Sequence, residues 1–427
     1  MWYGSLRRPL GAVSAAISAV VLTSAGVAAD STPQPIDDSS LQPTTTSFGG
    51  AAPLATTRTV QHWSGEATNG LDGVTYRFNM VGVDPSTEGS STIGVDIIPL
   101  NLTVAGRAFN GTDIVEATLR SPLFQRGNYS TTSTVTTFTA GKFGLGPGGP
   151  LSPGNTGVQL LDATMRSQFD KVGTGYHLNL RPDVRSPITI DVPAVDGIVR
   201  TNPATHIAYA DVDEIWFHPV VEGLIPQLHL SPQRLALFLT NDVVLFADHV
   251  TTHCCAFGSH GSVAATSPAD EESDGHARPG VQTFVWASWL TAGFFTRDPT
   301  QSWAKQDISG LSHEITEWAN DPFTTNTVQP WLSPTAREYG CNNLLETGDP
   351  TVNIGFSIGT NRFDQNAFSD GTYHPQDEAF LPWFMRIAPN HVSQPTQGDP
   401  SKGRYTFMGD LNPLDFFHQP PGTCTPV

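Results

Sequence analysis

The sequence predicts an α+β fold: a mixed β-sheet organised around one motif helix and preceded by a β-rich N-terminal region. Three observations predict it. Within residues 73–80, Val74, Tyr76, Phe78 and Met80 alternate with polar neighbours at the two-residue period of a half-buried strand. Residues 234–246 and 282–289 are nearly continuous apolar runs, the pattern of strands buried on both faces. Ile308, Leu311, Ile315 and Trp318 recur at three- and four-residue intervals, which is the apolar stripe of a helix.

Read in order, the chain begins with an export signal. Arg7 and Arg8 supply the positive start, residues 10–27 are mostly apolar or small, and Val27-Ala28-Ala29 offers a small-residue cleavage site. Residues 1–29 are therefore expected to be a signal peptide. Residues 30–57 are rich in Ser, Thr and Pro without an apolar period, the composition of a disordered linker. A β-rich region is expected over 58–155, where residues 92–104 continue the alternating style of 73–80 and the glycine- and proline-rich stretch 140–157 reads as a loop.

The α+β domain is expected over 156–427. Leu161, Met165, Phe169 and Val172 place a core-facing helix in 158–172, and residues 211–227 are also helix-prone, with Pro219 expected to break or restart that helix. Residues 234–246 should form one central strand. After them come the turn Gly258-Ser-His-Gly261, an acidic loop over 262–280, and the strand 282–289. Asp307 is placed to cap the motif helix and Pro322 to stop it.

Composition narrows the partners. The 427 residues include 22 basic and 40 acidic ones, a net charge of −18, which argues against nucleic acid or an anionic membrane surface. No stretch after the signal reaches the ~18 uninterrupted apolar residues of a membrane span, so no membrane contact is expected beyond export. The four cysteines, Cys254, Cys255, Cys341 and Cys424, would sit in an oxidising compartment and form two disulfides. Three pairings are open. Because adjacent cysteines rarely bridge each other, Cys341 and Cys424 are each expected to take one of the Cys254–Cys255 pair.

The chemistry concentrates in the motif helix. His313, Glu314, Glu317 and Asp321 stand in an H-E-x-x-E-x-x-x-D spacing just before Pro322. His313 and Glu317, four apart, rise from the same helical face. Zinc proteases use this geometry in H-E-x-x-H, where two histidines hold the metal and the glutamate between them is the base. Here a glutamate replaces the second histidine, and carboxylate also ligates zinc, so the helix is zincin-like with an altered ligand. The acidic face carries no lysine or arginine, and Gly310 leaves space beside it. The expected metal ligands are His313, Glu317 and Glu346 on zinc (Zn2+), with Asp321, Asp349 and His260 in reserve. Glu314 is the expected general base toward a water attacking a carbonyl.

The segment from about 235 to 386 carries four features in order. They are the apolar strand before the Cys-rich Gly-Ser-His-Gly turn, the strand around Phe284-Val-Trp286, Ser-His-Glu-x-x-Glu followed by Asn-Asp-Pro, and Tyr373 to Arg386 with its Phe-Leu-Pro-Trp-Phe ending. In these the chain resembles the Exordium or phosphate-induced protein family of secreted proteins, in a bacterial-type form. The resemblance implies export and one common fold, and brings no established reaction. Two functions follow as expectations. One is a secreted metal-dependent hydrolase, metallopeptidase-like, acting on peptides. The other is a non-catalytic extracellular or cell-wall-associated binding protein of the Exordium type.

Overall fold

At the centre of the computed structural model lies the strand Ser90–Val104, which pairs on both edges and is buried on both faces from Ile93 to Leu100. The structure describes residues 58–129, 135–137, 155–249, 255–266, 279–295, 306–336, 340–352, 354–364, 366–387, 405–407 and 424. The expected signal peptide, the linker, residues 267–278 of the expected acidic loop and most of the glycine-rich loop lie outside these residues. The two ends of the acidic loop, 262–266 and 279–280, are strand, extending the antiparallel pair rather than forming a loop. The α+β class is observed, and the sheet is mixed. Its order runs Gly258–Thr266, Pro279–Trp289, Leu235–Asn241, Ser90–Val104. The first pair is antiparallel, and the next two pairings are parallel. On its other edge Ser90–Val104 takes His177–Val184 and Ile188–Asp191, both parallel. A strand from the N-terminal half is thus the middle of the sheet that carries the motif.

Several local expectations change here. Residues 101–104 keep the expected alternation, but 93–100 do not: Val95, Ile97, Ile98 and Leu100 are all fully buried, because strands pair on both sides and helices cover both faces. The run 234–246 is two strands, Leu235–Asn241 and Val243–Phe246, in different sheets. The break is Asp242, at φ +52°, whose carboxylate accepts from the backbone N–H of Thr291 at 2.7 Å and its hydroxyl at 2.6 Å. Apolar patterning cannot register a one-residue reversal of this kind. Pro219 does not break its helix, Glu214–Gln227, which runs straight through it. The carbonyl left without a donor belongs to Ile215, which is 66 % exposed, so water can satisfy it.

The motif helix, Ser309–Asn320, forms where expected and stops before Pro322. Ile308, Leu311, Ile315 and Trp318 enter one core with Leu237, Val285, Ala287 and Trp289 of the sheet. The Trp318 indole N–H donates to Thr283 Oγ1 at 3.0 Å. The opposite sheet face, with Phe238, Phe284 and Trp286, packs on Phe217, Val221 and Ile225 of the helix Glu214–Gln227. All twelve residues of the motif helix are buried, so its acidic face points into the protein rather than into water. Asp307 does not cap the helix, whose N-cap is Ile308. It sits one residue earlier at φ +37°, and its carboxylate accepts from Ile308 N–H and is engaged by His374. The space beside Gly310 is taken by Phe257, whose Cδ2 lies 2.7 Å from where a Cβ would stand.

The cysteine expectation is overturned. Cys341, at the start of the strand Cys341–Leu344, is bonded to Cys424, with their Cα atoms 5.5 Å apart. Cys255 is also disulfide-bonded, and Cys254 lies outside the described residues. The Cys341–Cys424 disulfide fits an oxidising, extracellular environment, and no described helix is long and apolar enough to cross a membrane.

Candidate metal centre

Three elements bring the site together. The motif helix supplies His313, Glu314 and Glu317 from one face. The sheet's edge strand Gly258–Thr266 supplies His260, which the sequence placed in a turn. His260 pairs directly with Val285, and directly opposed residues point to the same face of a sheet. Val285 lies in the core under the motif helix, so His260 faces that helix too. Gly258, two residues away, shares that face. A Cβ there would collide with the Glu314 side chain, so glycine lets the carboxylate lie over the strand. The third element is the segment after Cys341–Leu344, carrying Glu346, Gly348 and Asp349.

The ligand atoms fall into two groups that share one residue, namely His313, Glu317 and Asp349, and His260, Glu317 and Glu346. Within the first, His313 Nε2 lies 3.1 Å from Glu317 Oε2 and 3.7 Å from Asp349 Oδ1. Within the second, His260 Nδ1 lies 3.6 Å from Glu317 Oε2, and His260 Nε2 lies 3.7 Å from Glu346 Oε2. Glu314 adjoins both groups, with Oε2 3.3 Å from His260 Nδ1 and Oε1 3.9 Å from His313 Nε2. The expected set therefore divides: His313 and Glu317 stand together, Asp349 completes their group, and Glu346 belongs with His260. Asp321 is in neither group. Its carboxylate accepts from the N–H groups of Thr325 at 2.9 Å and Asn326 at 3.1 Å, closing the turn after the helix.

Hydrogen bonds fix the orientation of the central ligands. Glu317 Oε1 accepts from Gly348 N–H at 2.9 Å and Asp349 N–H at 3.2 Å, so Oε2 is the oxygen turned toward the imidazoles. The Gln376 amide N–H donates to Gly348 C=O at 2.7 Å, which leaves its Oε1 to accept from His313 Nδ1–H at 3.1 Å. That tautomer puts the Nε2 lone pair of His313 against the Glu317 and Asp349 carboxylates. A lone pair facing a carboxylate at 3.1 Å is repulsive unless a proton or a cation lies between them. Gly348 is required as well: a Cβ there would stand 2.6 Å from His313 Nδ1.

Burial raises every carboxylate of the cluster. It pushes Glu314, Glu317 and Asp349 up to about 8, and Glu346 well above the usual carboxylate range. Neighbouring carboxylates push the same way, while the imidazoles pull back. Among the described residues, no Lys or Arg forms an ion pair with these four acids. His260 Nε2, Glu346 Oε2 and Asp349 Oδ1 are buried without a hydrogen bond. These features fit a bound cation: it would partner the orphaned atoms and relieve the repulsion.

Two contributors were missed from sequence. Gln376 carries no metal-site signature, and its role depends on a strap that crosses the helix start, where Gln376 N–H donates to Ser312 Oγ at 2.9 Å. Glu378 is buried with both oxygens unpartnered, and burial and then the Glu317 carboxylate raise it strongly. The only sequence signal for either was the acidic Gln-Asp-Glu run inside an otherwise apolar segment.

His374 anchors the same strap. Its Nδ1 lies 2.9 Å from Asp307 Oδ2 and its Nε2 3.1 Å from Asp370 Oδ2. Burial alone would lower this imidazole, but the two carboxylates push it from its ordinary 6.5 up to about 9. The hydrogen bond from His374 in turn holds Asp370 below the usual carboxylate range. A raised histidine contributes stability that is complete below about 6.5 and lost as pH rises through about 9. The difference in melting temperature between wild type and His374→Gln should therefore be largest at pH ~4–6.5 and shrink through pH ~9. A difference that stays constant across that range would show that the clasp is not ionic.

Comparison with protein-family models, curated proteins and solved structures finds no match to this chain.

Proposed function

We propose that the protein is a secreted zinc-dependent hydrolase of the metallopeptidase-like kind, with Glu314 as general base. The observation that carries this reading is the pairing of buried, hydrogen-bond-orphaned ligand atoms with a carboxylate, Glu314, that adjoins both ligand groups and belongs to neither. An ion would be held by His313, Glu317 and Asp349 or by His260, Glu317 and Glu346. A bound divalent ion supplies Lewis acidity, acidifying water and polarising a carbonyl. Glu314 accepts the proton of the attacking water and returns it to the leaving amine. Gln376 keeps the His313 lone pair turned inward, and the two backbone N–H groups on Glu317 Oε1 keep Oε2 turned toward the imidazoles, where it would serve as a ligand. Glu314 is the most exposed side chain of the cluster, at 8 % against 2–6 % for the others, so water and substrate would enter past the base.

Glu314→Gln should keep the metal and lower turnover of a peptide library by about 10²–10⁴-fold. Purified protein without a divalent ion would overturn the reading, as would wild-type turnover by the variant. Gln376→Leu removes the acceptor that fixes His313 and should weaken metal affinity by about 10–100-fold, while leaving His313 Nδ1–H unpartnered at about 1–3 kcal/mol of stability. Competition titration with a chromophoric chelator measures it, and unchanged affinity would mean that the tautomer is set some other way.

The same low exposure favours a second reading, in which the ion only stabilises a non-catalytic extracellular or wall-binding protein, as the resemblance to the Exordium family suggests. In that case Glu314→Gln changes stability, and no peptide is turned over by either form.

A further inference from the structure

We infer that the site holds two divalent cations rather than one, bridged by the single oxygen Oε2 of Glu317. The inference rests on the metal-site reading above and goes beyond it in stoichiometry and in the role of one atom.

The ligand atoms do not surround one point. They divide into a His–carboxylate–carboxylate group on each side of Glu317, with a different histidine and a different second acid in each. Donors each about 2 Å from one ion, at a tetrahedral angle, stand about 3.3 Å apart. The separations of 3.1 and 3.7 Å in the His313 group, and of 3.7 Å between His260 Nε2 and Glu346 Oε2, match that spacing on both sides. Each side also contributes an orphaned, buried ligand atom of its own, Asp349 Oδ1 on one and Glu346 Oε2 and His260 Nε2 on the other. One ion placed on either side would leave the other side's orphans unpartnered.

Charge points the same way. Glu314, Glu317, Glu346 and Asp349 face two imidazoles, and Glu378 is buried beside them. With neutral imidazoles, one divalent ion offsets two of these five negative charges and two ions offset four. The bridge is confined to Oε2 because Glu317 Oε1 is occupied by Gly348 N–H and Asp349 N–H. A one-oxygen bridge suits the separation of about 3.5–4 Å found in two-metal sites that activate water.

The test is metal titration of the full mature protein with Mn2+, read by equilibrium dialysis and low-temperature electron paramagnetic resonance. Two equivalents are expected, giving the broadened spectrum of a spin-coupled pair. His260→Gln and His313→Gln should each bind one equivalent, with the hyperfine spectrum of an isolated ion. Circular dichroism confirms that the variants are folded, and the wild-type stoichiometry stands on its own if either is not. One equivalent with an isolated-ion spectrum in wild type overturns the two-ion inference and leaves the hydrolase reading intact. No bound ion overturns both. Two coupled ions without peptide turnover would support the bridge and remove the hydrolase.

Discussion

Glu317→Ala is expected to empty the site. Glu317 is the one residue common to both ligand groups, so its loss takes a donor from each. Affinity for divalent ions should fall further than the about 10–100-fold seen when a residue that only orients a ligand is removed. The fold should suffer too, because Gly348 N–H and Asp349 N–H lose their buried acceptor, at about 1–3 kcal/mol for each unsatisfied group. Glu317→Gln separates the two effects. Its amide oxygen can still accept from both N–H groups, and its amide N–H can donate to His313 Nε2, the atom that Glu317 Oε2 faces at 3.1 Å. Because burial pushes Glu317 up to about 8, the neutral amide should leave the metal-free fold as stable as wild type, or more so. Metal analysis together with urea unfolding reads both quantities. Full metal retention by Glu317→Gln would remove this residue from the ligand set.

Trp318→Ala should be the most damaging change to the fold, destabilising it by about 3–5 kcal/mol. Its side chain is fully buried between the motif helix and the sheet, in the core shared by Leu311, Ile315, Val285 and Ala287. The loss would be a large fraction of a typical stability of about 5–15 kcal/mol. Trp318→Phe keeps most of the apolar volume and loses the hydrogen bond to Thr283 Oγ1, for about 1 kcal/mol plus the smaller ring's void. Denaturant unfolding of the two variants ranks the effects. Equal losses would mean that the hydrogen bond, not the packing, holds the helix down. Because His313, Glu314 and Glu317 ride on this helix, Trp318→Ala should also weaken metal binding through their positions.

The features legible in the sequence are those fixed over one or two turns of chain. The stripe Ile308, Leu311, Ile315 and Trp318, the stop at Pro322 and the strand over 282–289, which the structure extends back to Pro279, follow from period and punctuation, which are local. The same locality placed His313 and Glu317 on one face, since that spacing is a property of any helix. The inward direction of that face was not legible. An acidic helical face normally meets water, and only the edge strand, the 346–349 segment and the strap at Gln376 turn it into an interior.

Three outcomes show how far local reading reaches. His260 faces the site because the strand Gly258–Thr266 pairs with Pro279–Trp289 in one register; a one-residue slip would turn it to the other face. Asp349, rather than Glu346, joins His313 because Gly348 and Asp349 donate their N–H groups to Glu317 and bring that turn against the helix. Cys341 meets Cys424 across 83 residues, a distance over which spacing carries no information. By itself, then, the sequence determined the α+β class, the motif helix with its His313–Glu317 pair, and the chemistry those side chains can perform. The tertiary structure decided the burial of the acidic face, the partner of each histidine and the sharing of Glu317. Those depend on strand register and loop closure between residues far apart in the chain, which no local pattern encodes.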